Sequence, residues 1–161
     1  MLRFAVHRPD QSGVFLPDEL ATLELGARLA RALHPRLIIY LKGELGAGKT
    51  TLVRGALREL GYTGRVKSPT YALVEVYCLS RLYLHHFDFY RFKDPAEWID
   101  AGFRDVFGGE NVCLVEWPEK AGGLLPSADL EINLEHQDTG RSAHLSALTT
   151  AGIECLRHII G

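Results

Sequence analysis

The stretch GELGAGKT, residues 43–50, decides how this 161-residue chain folds. It fits the pattern G-x-x-x-x-G-K-[ST] in full, which is typical of a phosphate-binding loop between a strand and a helix. Residues 37–41, just before it, form a short apolar run rich in isoleucine, as a buried strand would. Residues 49–60, just after it, contain no proline and stop at Gly61, which favours a helix end. The loop therefore has the neighbours that its chemistry requires.

The residue types in this loop predict a nucleoside triphosphate as the ligand. Backbone N–H groups can surround phosphate oxygens only where side chains do not intrude, which accounts for Gly43, Gly46 and Gly48. The helix N-terminus adds a partial positive charge. We expect the Lys49 ammonium to reach the β and γ phosphates and the Thr50 hydroxyl to bind Mg²⁺. The N-K-x-D element that recognises guanine does not occur in the sequence, so ATP is the favoured nucleotide.

Length and charge exclude some classes of protein. We expect a single domain over residues 1–161, because this length is usual for one core. A formal charge of −2 argues against coating nucleic acid by bulk charge. No apolar run is long enough for a signal peptide or a membrane span, so a cytoplasmic protein is expected. The densest basic stretch is explained equally well by a solvated helix face and by an RNA contact: Arg54, Arg58, Arg65 and Lys67.

The three cysteines are Cys78, Cys113 and Cys155. They are odd in number and far apart, and two lie in apolar runs. Reduced, buried thiols are therefore favoured over a metal site or a redox pair.

The remaining patterns predict an α/β chain. They indicate a helix over residues 16–33, strands over 71–79 and 82–90, a short helix over 94–102, strands over 111–117, 129–136 and 141–148, and a terminal helix. Ser80 and Arg81 join the first two of these strands as a hairpin, although without the glycine that a tight turn prefers. This order predicts a sandwich of the P-loop NTPase type, with a mostly parallel central sheet, antiparallel edge strands and helices on both faces.

Two carboxylates and one hydroxyl segment complete the candidate site. Asp88 and Glu116 each end an apolar strand, where an acid beside a phosphate loop can hold Mg²⁺ or orient an attacking water. Taken alone, each is equally well explained as a surface or capping carboxylate. Thr70, in the segment Ser68-Pro69-Thr70, could complete the metal shell or position water, and an ordinary turn entering a strand explains it as well.

Two histidines and two tryptophans are better explained by packing than by metal binding or base stacking. His85 and His86 suggest a metal, but neighbours in a strand point to opposite faces, so packing is favoured. Trp98 and Trp117 are also more typical of packing than of base stacking. Trp117 directly follows Glu116 and could help to seat the loop.

Five segments, in order along the chain, resemble one known family: GELGAGKTTLVRG, VKSPTYALVEVY, HFDFYRFKDPAE, LVEWPEK and LLPSADLEI. They are similar to the small bacterial P-loop ATPases of the TsaE (YjeE) family, and the resemblance extends from about residue 16 to residue 141. The combination of S-P-T-Y, H-F-D-x-Y-R and E-W-P-E is far more specific than the phosphate loop.

The resemblance implies a role in making N6-threonylcarbamoyladenosine (t6A) beside the anticodon of tRNAs that read codons beginning with A. It implies a weak, partner-dependent ATP hydrolase that does not transfer the threonylcarbamoyl group itself. The implied partners are a TsaD-like transferase and its inactive TsaB-like homologue. The link to tRNA is indirect, and a direct contact stays open.

The resemblance also implies roles for individual residues. The implied catalytic residues are Lys49, Thr70, Asp88 and Glu116, and the implied Mg²⁺ ligands are Thr50, Glu116 and Asp88. The implied nucleotide-binding residues are Gly43, Gly46, Ala47, Gly48, Lys49, Thr50, Thr51, Glu19 and Gly140. The chain departs from the family at Trp98, where a leucine-like or acidic stretch is more usual, and in its longer leader before Leu16.

Two other classes share the loop. A small-molecule or nucleoside kinase would need an acceptor pocket and an arginine-bearing lid, and no insertion with clustered arginines follows the predicted sheet. A binding module would use nucleotide occupancy to order the segment 68–71 and so control a partner, with hydrolysis incidental.

Overall fold

The computed structural model describes residues 2–94 and 102–161. The strands are β1 (Phe4–Arg8), β2 (Gln11–Leu16), β3 (Ile38–Lys42), β4 (Val74–Cys78), β5 (Tyr83–Asp88), β6 (Val112–Glu116), β7 (Leu130–Gln137) and β8 (Gly140–Ala147). The α-helices are α1 (Glu19–Ala32), α2 (Lys49–Glu59), α3 (Phe103–Phe107) and α4 (Thr150–Ile160), and a 3₁₀-helix spans Pro118–Leu124.

The described strands form one sheet in the order β1-β2-β8-β7-β3-β6-β5-β4. The four central strands, β7, β3, β6 and β5, run parallel, and the outer pairs are antiparallel. The register sets Leu41 beside Glu116 and Glu116 beside Asp88. The carboxyl ends of β3, β6 and β5 therefore lie side by side, which is where parallel sheets place ligands.

Alternate residues of the central strands bury their side chains in two separate cores. On one face, Ile39 and Leu84 pack with residues of α1, α2 and α4. On the other face, Ile38 and Phe87 pack with aromatic residues that include Phe103 of α3. Near-continuous burial of β6 follows from this double cover. The predicted sandwich, with a parallel centre of the sheet, antiparallel edge strands and helices on both faces, is confirmed.

The ends of the helices agree with the residues that favour them. Asp18 is the N-cap of α1, and its side chain accepts a hydrogen bond of 2.9 Å from the backbone N–H of Ala21. Thr149 caps α4 in the same way, through Gly152. Gly61, at φ 93°, follows α2 in the left-handed conformation.

The N-terminal hairpin β1–β2 has no counterpart in the sequence prediction. Residues after Phe4 in β1 are exposed, so the strand lacks the apolar alternation that marks a half-buried strand. It exists because β2 pairs with β8 and β1 extends that edge. The 3₁₀-helix and α3 were not predicted either, since both are too short for a helical period.

Two further expectations need comment. The strand predicted from residue 71 begins only at Val74, because Leu73 adopts φ 68° and ends a turn that Pro69 and Leu73 close. Most of the short helix predicted over 94–102, with Trp98, lies outside the described residues.

The cysteines are free, as expected, but Cys78 is exposed, which corrects the prediction of three buried thiols. Cys78 lies on β4, the last strand at one edge of the sheet, and its side chain is exposed to solvent. Burial raises the pKa of the Cys113 and Cys155 thiols to about 12. Among the described residues, no helix has the length and apolar character needed to cross a membrane.

Candidate functional site

The phosphate loop leaves β3 and enters α2 at Lys49, as its motif predicts. Gly46 and Gly48 adopt φ 78° and 105°, a region that residues with side chains rarely visit. No heavy atom lies within 4 Å of where a Cβ of Gly46 would be, so the backbone there is open to a ligand. Successive N–H groups in such a loop form a concave site for an anion.

Lys49 is buried at the start of α2, with 4% of its surface exposed. Its Nζ donates a hydrogen bond to the carbonyl of Gly43 and lies 4.0 Å from the centre of the Trp117 ring. Burial lowers the pKa of Lys49, and the nearby carboxylates of Glu116 and Asp88 oppose that shift. An ammonium group that is buried from water in this way would interact strongly with an anion.

Asp88 ends β5 and is 3% exposed. Its Oδ2 accepts hydrogen bonds of 3.1 Å from Ser68 Oγ and from Thr70 Oγ1, and its Oδ1 accepts one of 2.9 Å from the Tyr90 N–H. The two hydroxyl oxygens lie 2.8 Å apart. Thr70 is therefore tied to the candidate site, not only to a local turn.

Glu116 ends β6 and is 2% exposed. Its Oε2 lies 2.5 Å from Nε2 of His86, a ring with no exposed surface. The packing interpretation of His86 is incomplete, because this ring also holds a site carboxylate. Strand alternation could have found it, since residues two apart, such as His86 and Asp88, share a face. His85 belongs to the other face, and burial lowers its pKa.

A cleft of about 220 Å³ brings most of the predicted residues together. It is lined by Leu45, Gly46, Gly48, Lys49, Thr50, Thr51, Ser68, Thr70, Asp88, Glu116 and Trp117. Trp117 thus faces the cleft as well as packing on Tyr90, with ring centres 5.0 Å apart. The catalytic and metal-binding roles of these residues remain predictions.

A second cavity of about 240 Å³ adjoins this cleft and shares Gly46, Gly48 and Thr51 with it. Glu19 and Gly140 lie in its wall, 121 positions apart in sequence but brought together by the fold. Two other predicted residues line neither cavity. Gly43 meets Lys49 through its carbonyl, and the side chain of Ala47 is buried in the core.

Arg141 is a site neighbour that the sequence analysis did not single out. Its Nε donates to the carbonyl of Ala47 at 3.2 Å and its Nη2 to that of Gly46 at 3.1 Å. Its position directly after Gly140 was a usable signal. In the basic stretch, the partly buried Arg54 lies 3.8 Å from Glu19. The other three members are exposed, which leaves both interpretations open.

The oxygen donors of the cleft fit Mg²⁺. Asp88, Glu116 and Thr50 offer two carboxylates and a hydroxyl, the hard ligands that this ion prefers. No group of three or more histidine, cysteine or acidic side chains among residues 2–94 and 102–161 could hold a metal on its own. Mg²⁺ is commonly held by one or two carboxylates together with nucleotide phosphates, so this small set is sufficient.

Comparison with known proteins decides the family. The family model described as "Threonylcarbamoyl adenosine biosynthesis protein TsaE" matches residues 16–143. The chain belongs to the TsaE family. The resemblance found in the sequence segments is therefore confirmed.

Individual relatives of the TsaE family agree with this. The tRNA threonylcarbamoyladenosine biosynthesis protein TsaE of Haemophilus influenzae is 44% identical over 143 residues, which are 86% of this chain and 90% of that protein. The protein of the same name from Bacillus subtilis is 40% identical over 117 residues, 72% of this chain and 71% of that protein. The crystal structure of Bacillus subtilis YdiB matches with a TM-score of 0.80 at 26% identity, and covers 99% of this chain and 95% of that one.

Proposed function

We propose that this chain binds Mg²⁺-ATP in the cleft at the start of α2 and hydrolyses it slowly, in the service of tRNA t6A modification. The observation that carries the proposal is the meeting of Lys49, Asp88 and Glu116 around one phosphate loop, in a chain of the TsaE family. The names of its relatives supply the pathway.

The loop would bind the phosphates through its backbone N–H groups, while Lys49 exchanges the Gly43 carbonyl for phosphate oxygens. Its buried position makes that exchange favourable, because a desolvated cation gains most from an anion. The rest of the nucleotide would extend into the adjoining cavity, past Glu19 and Gly140.

Thr50, Glu116 and Asp88 would hold Mg²⁺, which when bound neutralises charge on the phosphates. Glu116 is already oriented by His86, so little reorganisation is needed at that carboxylate. Asp88 is oriented by three donors and would serve the ion or an attacking water, with Thr70 beside it. Substitution Asp88→Asn separates the two roles, because loss of Mg²⁺ affinity would assign it to the ion and loss of turnover alone to the water.

The residues of the described cleft are of the types that would bind phosphates and Mg²⁺, which supports an ATPase role. We propose that the transfer of the threonylcarbamoyl group occurs in a partner, a TsaD-like transferase with its TsaB-like inactive homologue. The chain would act on that complex in the cytoplasm, and through it on tRNA.

Reconstitution tests the proposal. Purified partners, tRNA and ATP are combined with the wild-type chain, Lys49→Ala, Asp88→Ala or the control Arg157→Ala, an exposed position on α4. We expect multiple rounds of t6A formation with the wild type and the control, and loss of repeated turnover with the first two variants. Full t6A formation with Lys49→Ala would contradict the proposal.

A second candidate is a nucleotide-controlled binding module without a need for hydrolysis. The network of Ser68, Thr70 and Asp88 favours it, because a ligand that displaces the two hydroxyls from Asp88 Oδ2 would alter the conformation of the segment 68–71. Repeated rounds of modification with a non-hydrolysable ATP analogue would favour this candidate, and a single round would favour the ATPase.

A further inference from the structure

Each of the three nitrogen atoms of the Arg141 guanidinium donates a hydrogen bond to a backbone carbonyl. It donates to Ala47 at 3.2 Å, to Gly46 at 3.1 Å and to its own neighbour Gly140 at 2.9 Å. Within residues 2–94 and 102–161, no carboxylate forms an ion pair with it. Its positive charge is therefore directed at two consecutive peptide groups of the phosphate loop.

Through the geometry of the peptide group, this contact also affects the direction of the N–H groups on the opposite side of the loop. In a planar trans peptide the C=O and the following N–H point in opposite directions. A guanidinium that holds the Ala47 carbonyl therefore turns the Gly48 N–H away from itself and polarises it as a donor. The neighbouring Ala47 N–H is secured separately, by a hydrogen bond of 3.1 Å to the Glu44 carbonyl.

The support behind Arg141 is rigid. The residue lies on β8, where it pairs with Leu16 of β2 and with His136 of β7. The loop itself contains three glycines in eight residues, which makes it costly to order. The contact thus joins a flexible loop to a strand that is fixed on both sides.

From these contacts we infer that Arg141 is a positioning residue for the nucleotide: it holds the phosphate loop in its binding shape before the ligand arrives. This inference rests on the proposed function for its ligand, and it adds a residue from the far end of the chain to the site. The fork of the side chain is essential, because its two donor atoms hold two successive carbonyls at once.

The test compares Arg141→Met and Arg141→Lys with wild type and with Arg157→Met, a control in which an exposed arginine is removed from α4. Binding of Mg²⁺-ADP is measured by calorimetry. Amide hydrogen exchange at Ala47, whose N–H is hydrogen-bonded within the loop, is measured by NMR on the nucleotide-free chain.

We expect Arg141→Met to raise the Kd for Mg²⁺-ADP about 10- to 100-fold, the size of one or two lost charge-assisted hydrogen bonds. Arg141→Lys should recover little of this loss, since lysine keeps the charge but not the fork. Both variants should exchange faster at the Ala47 amide, whose hydrogen bond to Glu44 depends on the shape of the loop, and Arg157→Met should match wild type in both measurements.

Full recovery of affinity by Arg141→Lys would overturn the inference in favour of simple charge attraction. Unchanged loop exchange in both Arg141 variants would overturn it as well. Failure of the wild-type chain to bind Mg²⁺-ADP would instead overturn the proposed function, and the exchange data would still decide whether Arg141 holds the loop.

Discussion

The buried contact between His86 and Glu116 should be far more strongly coupled than an exposed contact of the same length. The perturbation is a double-mutant cycle with His86→Leu, Glu116→Leu and both together. The matched control is the same cycle on Arg36 and Glu110, whose Nη2 and Oε1 also lie 2.5 Å apart. The pairs differ in burial, with side chains 0% and 3% exposed in the first pair and 73% and 69% exposed in the second. The exposed pair has an additional hydrogen bond of 2.8 Å from Arg36 Nε, so stronger coupling in the buried pair would not result from a larger number of contacts.

The magnitudes follow from that burial. Each single substitution leaves the other polar group in the core without its partner, which costs about 3–5 kcal/mol for a buried pair. Among the described residues, Nδ1 of His86 has no hydrogen-bond partner, so Glu116 is the ring's polar contact there. Replacing both groups leaves neither one unpaired. The double variant should therefore lose about 1.5–3 kcal/mol less unfolding free energy than the two single variants lose in total. The exposed control pair should couple by about 0.2–1 kcal/mol.

Urea unfolding followed by circular dichroism gives each free energy, with EDTA present so that no metal bridges the carboxylate. The slope of the free energy against urea must stay constant across each cycle for the comparison to hold. Additive losses in the His86–Glu116 cycle, or equal coupling in the two cycles, would refute the argument that burial sets the strength of this contact.

Two further predictions concern close packing and pH. Gly140→Ala places a Cβ 2.4 Å from the carbonyl oxygen of Leu16, so we expect a loss of about 1–3 kcal/mol in the free energy of unfolding; Gly123→Ala, where nothing lies within 4 Å, is the control, and equal effects would contradict the prediction. Burial lowers the pKa of His85 below 6.5, so its contribution to stability is present above pH 6.5 and is lost as the pH falls through the lowered pKa of the folded state. Urea midpoints at pH 8 and pH 5 should therefore differ less for His85→Gln than for wild type, and an equal difference would exclude the histidine as the cause.

The central elements were predictable because each has a strong local signal. The apolar run before the loop, the glycines within it and the proline-free segment after it, which stops at Gly61, each indicate their own conformation. The positions of Asp88 and Glu116 in the cleft were predictable, because a carboxylate at the carboxyl end of a buried parallel strand lies at the edge of the sheet where ligands usually bind. The β1–β2 hairpin was not predictable. Strand β1 is exposed, and its partner β2 is held in the sheet by β8, which lies more than a hundred residues away.

By itself, the sequence determined the phosphate loop, the α/β order of elements and, through its combined motifs, the family. Those features depend on residues that are neighbours along the chain, and such residues carry their conformational preference with them. Only the tertiary structure decided that Ser68 and Thr70 bind Asp88, that His86 holds Glu116 and that Arg141 holds the loop. These contacts join residues 18 to 95 positions apart, and they exist because the sheet, parallel at its centre and antiparallel at its edges, brings together strands and loops that no local pattern connects.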